Sequence, residues 1–123
     1  MPTATPLRTA FVCVALFAGG TAHAASFDCA KAAAADEIAI CADPGISNLD
    51  TVMATLYGVR IEIPMLMGAR GAAQDEQQEF LTERAGCGGD TTCLENAYNA
   101  HIATLRQTIS DAMKDYCVKL GIC

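Results

Sequence analysis

An all-α fold, a small bundle of about four helices stapled by local disulfides, is the architecture this sequence predicts. Three observations carry it. Apolar residues recur at spacings of three and four through most of the chain, the pattern of helices with one buried face. No stretch sustains the alternation of a half-buried strand; the one weak case, VRIEIP at 59–64, reads as a helix continuing. Six cysteines beyond residue 24 fall into three couples that are close in sequence.

The first 24 residues read as an address rather than as structure. Residues 1–9 carry Arg8 and no acid, 10–18 (AFVCVALFA) form a short apolar run, and Ala22-His23-Ala24 supplies the small residues that signal peptidase reads. The run falls far short of the roughly 20 residues needed to span a bilayer, and no later stretch is long enough. The expectation is cleavage after Ala24 and one small helical domain over residues 25–123, periplasmic or secreted, with no transmembrane segment. A lipid anchor on Cys13 is not favoured, because Ala10, Phe11 and Val12 stand where a lipobox has a leucine and then a small residue.

Sequence proximity makes one cysteine pairing the simplest: Cys29 with Cys41, Cys87 with Cys93, and Cys117 with Cys123. Geometry then constrains the chain. A disulfide needs its Cα atoms within about 7 Å, whereas twelve residues of continuous helix span roughly 18 Å. The segment before the first helix must therefore fold back along it. By the same argument the last helix stops near Leu120, where Gly121 is a natural terminator. Two Cys-x5-Cys couples could instead hold zinc, but an oxidising compartment favours disulfides.

In chain order, residues 32–42 (AAAADEIAICA) predict a short helix, ended by Asp43-Pro44-Gly45. Ser47 with Asp50 resembles a capping box and starts the second helix, whose apolar face is Leu49, Val52, Met53, Leu56, Val59 and Ile63. Pro64 should break it, with 65–67 beginning a new turn before a 68–71 hinge. The third helix is expected over 72–85, with Gln77, Phe80, Leu81 and Arg84 on one face and Glu76, Glu79 and Glu83 on another. Thr92 with Glu95 makes a second capping box. From there Leu94, Tyr98, Ile102, Leu105, Ile109, Met113, Tyr116 and Leu120 keep helical period to the end of the last helix.

Charge and motifs bound the function. Residues 25–123 hold seven Lys and Arg against fourteen Asp and Glu, a formal charge of −7. Nucleic acid is an unsuitable partner for such a surface and a cationic protein a suitable one. No hydrolase triad pattern, phosphate-binding loop or histidine-rich metal set is present, so the expectation is a protein without enzymatic activity or cofactor. His101, at the edge of the last helix's apolar face, reads as a boundary packing residue. Carboxylates such as Glu79 and Glu83 on a helix are ordinarily a solvated face; their functional reading is electrostatic, drawing in a basic partner. Asp90, in the turn between Cys87 and Cys93, joins them as a candidate contact.

Several segments together resemble the lysozyme inhibitor LprI-like family of small secreted bacterial domains. They are FDCAKA at 27–32, EIAICADP at 37–44, Leu49-Asp50, Tyr57, then Gln77, Phe80-Leu81 and Arg84 ahead of Cys87, and Asp90, Cys93-Leu94, Tyr98, Ile102 and Leu105 after it. Departures include Phe80 where the family often has tryptophan, Ala85 in place of an acid or asparagine, and His101 in place of an arginine. The resemblance implies a helical domain with local disulfides and, in function, a binding protein that blocks a cationic lysozyme or another cell-wall hydrolase. The alternative is an envelope structural or assembly module unrelated to lysozyme. Asp50 and Arg84 are expected to form a structural ion pair between facing helices, beside Tyr57 and Phe80.

Overall fold

In a computed structural model, residues 25–123 are described; the expected leader, its cleavage site and Cys13 lie outside them. Among the described residues there are four α-helices, a 3-10 turn at Cys29–Lys31 and no strand, as the periodicity predicts. The helices are α1 (Ala35–Ala42), α2 (Pro44–Glu62), α3 (Met67–Cys87) and α4 (Thr91–Leu120).

The expected fold-back before α1 is present. Cys29 and Cys41 are bonded with Cα atoms 5.8 Å apart. Residues 32–34, expected to be helical, are the chain that makes this reversal possible, and α1 starts three residues later. Ala34 occupies the N-cap and has no side-chain oxygen. Glu37 compensates by reaching back, its Oε2 accepting from the N–H of Ala33 at 3.0 Å and of Ala34 at 3.2 Å. Those two donors hold its carboxyl below the usual range.

Both predicted capping boxes are displaced by an aspartate lying upstream. At α2 the cap is Asp43, whose Oδ1 accepts from Gly45 N at 2.8 Å and Ile46 N at 3.1 Å. Pro44 stands in the first turn, where its fixed φ suits a helix and its missing N–H costs nothing. The proline thus ends one helix and opens the next. Ser47 and Asp50, set free from capping, turn inward and are buried; Ser47 Oγ donates to Ile40 O at 2.6 Å. At α4 the cap is Asp90, with Oδ1 accepting from Cys93 N at 3.0 Å, in place of Thr92.

Pro64 breaks the chain as expected, and Ile63 before it is extended at φ −64°, ψ 126°. The 68–71 hinge is not found: α3 starts at Met67 and runs through both glycines. The proline bend already redirects the chain, and an isolated glycine inside a helix costs only about 1 kcal/mol. At the other end of α3, Gly88 takes φ 54° and lets the chain turn into α4. The Cys87–Cys93 bond, Cα atoms 5.6 Å apart, closes that turn. Gly121 caps α4 in the left-handed region at φ 64°, and Cys117 and Cys123 are paired around it with Cα atoms 5.4 Å apart.

The core sits where α2 and α3 pack on the first half of α4, with α1 across their end. It is built from Ile40, Ile46, Met53, Phe80, Leu94, Ala97, Tyr98, Ile102 and Leu105. Contacts from Asp50 to Tyr98 and from Pro64 to Tyr116 show α2 running parallel to α4. Those from Phe80 to Tyr98 and from Gln77 to His101 show α3 antiparallel to it. The apolar stripe of α4 is therefore buried only in part. Thirty residues of helix extend roughly 45 Å and nineteen roughly 28 Å, so α4 outruns α2 and leaves Met113 and Leu120 exposed.

Candidate functional site

Two features meet on α3: a buried charged cluster on its inner face and an acidic ridge on its outer one. The inner cluster fixes the position of the ridge.

Arg84, near the end of α3, points toward α1 and α2. Its Nε donates to Asp36 Oδ2 at 2.9 Å, and its Nη1 lies 3.8 Å from Asp50 Oδ1. The expected Arg84–Asp50 pair is thus the longer of two, and the close partner is Asp36. Asp50 is satisfied chiefly by others: Tyr98 OH donates to its Oδ1 at 2.8 Å and Ser26 N to its Oδ2 at 2.6 Å. Burial, then the Asp50 carboxylate, push the Tyr98 phenol above its ordinary value near 10, so it remains a neutral donor. The Arg84 guanidinium carbon stands 5.8 Å from the centroid of Phe27. Asp36 and Asp50 are almost fully buried. The cluster ties the N-terminal segment and all four helices together. Tyr57 packs at the edge of the core, partly buried.

Phe80, one turn before Arg84, packs edge-on against Tyr98 at 5.2 Å and lies flat on the His101 ring at 4.3 Å and 5°. His101 Nε2 is 2.9 Å from Gln77 Oε1. Burial lowers the His101 pKa from its ordinary 6.5, with Glu76 and Glu83 pulling the other way. The imidazole is accordingly neutral at pH 7 and leaves the adjacent carboxylates uncompensated.

Those carboxylates form the ridge. Glu76, Glu79 and Glu83, at helical spacing, line one shallow depression of about 230 Å³ with Phe80, Ala100, His101 and Thr104. All three glutamates are exposed, and none forms an ion pair among the described residues. Of the three residues expected to contact a partner, Glu79 and Glu83 are brought together. Asp90 is outside this depression and has a local task as the α4 cap.

Sequence reasoning missed Asp36, Ser26 and Phe27, which depend on a chain reversal and on contacts made across 48 residues in the case of Asp36. The one available signal was Asp36 itself, an acid on the inward side of α1 two residues from the Cys41-bearing apolar run. The six cysteines among the described residues are paired as disulfides, the arrangement favoured over zinc. Among the described residues no group of three or more His, Cys, Asp or Glu is placed to hold a metal, and no helix is long and apolar enough to cross a membrane.

Fold and site together define a disulfide-stapled all-α domain that presents an acidic ridge. Comparison with protein-family models, with curated proteins and with solved structures finds no match.

Proposed function

We propose that this protein is an exported, non-enzymatic binding protein that inhibits a lysozyme or a related cell-wall hydrolase by occluding its cleft, acting in the periplasm or outside the cell. The observation that carries the reading is the ridge of Glu76, Glu79 and Glu83 beside a neutral His101. Aligned uncompensated carboxylates on a domain of charge −7 attract a cationic enzyme from a distance and orient it on approach. Disulfides that tie the N-terminal turn to α1, Cys29–Cys41, and the end of the ridge helix to the start of α4, Cys87–Cys93, limit the ordering cost of docking. The likeness of the Arg84, Cys87 and Cys93 pattern to the LprI-like family supports the same reading.

The test is an activity assay with representatives of different lysozyme classes and the oxidised protein in excess, across a salt series. Inhibition that weakens as salt rises is expected. No inhibition of any class would leave the second reading in front, an envelope assembly module that binds another protein. That alternative has its own support in the exposed apolar side chains at the end of α4, Met113, Val118, Leu120 and Ile122.

A further inference from the structure

The elbow between α2 and α3 packs beside the last turns of α4, held there by the Tyr116 hydroxyl donating to Pro64 O. Between them lies a cleft of about 530 Å³, within the range of roughly 300–1,000 Å³ common to small-molecule sites. Its walls include Ile63 and Leu66, and its polar groups are Arg60, Asp115, Tyr116 and Lys119.

Arg60 is the unusual member. Unlike Arg84, which has two carboxylates, Arg60 forms no ion pair among the described residues. Its Nη1 rests 3.3 Å from Met65 Sδ, a weak acceptor, and its Nε is buried with no hydrogen-bond partner among the described residues. A buried donor of a charged group without an acceptor is costly, and fourteen acids elsewhere in the sequence were available to pair with it. The second cation, Lys119, is engaged with Asp115 at 2.5 Å.

We propose that this cleft binds a small amphiphilic carboxylate, its head group on Arg60 and its apolar body along Ile63 and Leu66. The planar guanidinium fork matches a carboxylate. Asp115 and Lys119 neutralise each other, so Arg60 leaves the lining one net positive charge, which matches a monoanion better than a doubly charged phosphate ester. The apolar walls select a ligand with a hydrocarbon body over a bare anion. The site is separate from the α3 ridge and does not depend on the inhibitor reading.

Isothermal titration of the protein, disulfides intact, with octanoate, 1-octanol and octylammonium tests this. Octanoate should bind, and octanol at least tenfold more weakly, the size of one charge-assisted hydrogen bond. Octylammonium should not bind, and Arg60→Gln should weaken octanoate by about tenfold or more while leaving octanol unchanged. Ala112→Leu, which fills the cleft without altering charge, should block octanoate. Should Arg60→Gln fail to fold, the octanoate-to-octanol ratio of the unaltered protein and the Ala112→Leu result decide. The proposal is overturned if octanoate does not bind, if octanol binds equally well, or if either variant that folds binds octanoate as the unaltered protein does.

Discussion

Replacing Arg84 by methionine keeps most of the apolar bulk of the side chain and removes its charge, leaving Asp36 and Asp50 buried without their counter-ion. Asp36 is 3% and Asp50 0% exposed, and the arginine side chain itself only 13%, so solvent does little to screen the loss. Breaking a buried pair in this way costs about 3–5 kcal/mol. For a domain of this size each kcal/mol lowers Tm by about 4 °C or more, so a drop of at least ~12 °C is expected. Thermal unfolding followed by circular dichroism near neutral pH, with disulfides intact, measures it. Adding Asp36→Asn to Arg84→Met should restore part of the loss, with a coupling of at least about 1 kcal/mol in the double-mutant cycle. A cost below about 1 kcal/mol, the value of a surface pair, would refute the structural role assigned to Arg84.

Three other expectations follow from the same contacts. Because His101 titrates below its unfolded value, the folded state binds its proton less readily. Its stabilising contribution is full above about pH 6.5 and is lost as pH falls through the folded pKa. The fall in Tm from about pH 7.5 to 5 should then be smaller in His101→Phe, which keeps the stack on Phe80; an equal fall counts against this. Asp90→Ala should lower the denaturant-derived stability by about 1 kcal/mol and Asp90→Ser should recover most of it. If serine were as damaging as alanine, the cap would not be the residue's role. Finally, two buried carboxylates share one arginine, and Asp50 also takes the N–H of Ser26, one residue past the expected new N-terminus. Residues 25–123 with a free α-amino group should be more stable than the acetylated form by up to about 1 kcal/mol, and equal melting would show that this charge plays no part.

Much of this architecture can be read from the chain because the decisive signals are local. Helical period, Pro64 and Gly121 each act within a few residues, and twelve residues between Cys29 and Cys41 suffice to require a fold-back. Caps were harder for a physical reason: Asp43 and Ser47, or Asp90 and Thr92, stand within four positions of each other, and each is a residue type able to cap the N–H groups two or three residues after it. The winner is set by where the preceding helix releases the chain. Partners of buried charge were legible only in part. Arg84 announces that it needs a carboxylate, but whether Asp36 or Asp50 lies nearer depends on how α1 crosses the bundle. The overhang of α4 was hidden for the opposite reason, since its periodicity continues past the point where α2 ends. Glu79 and Glu83 share a face by spacing alone, whereas the exclusion of Asp90 from their depression needed the helix turn in three dimensions.

The most direct test of the central reading is the inhibition constant of the Glu79→Gln/Glu83→Gln variant, measured beside the unaltered protein against a cationic lysozyme at low salt. Both side chains are exposed, so melting should be unchanged. A rise of tenfold or more in the constant, shrinking as salt is added, is the predicted result. Equal inhibition by the two proteins, or inhibition by neither, would contradict it.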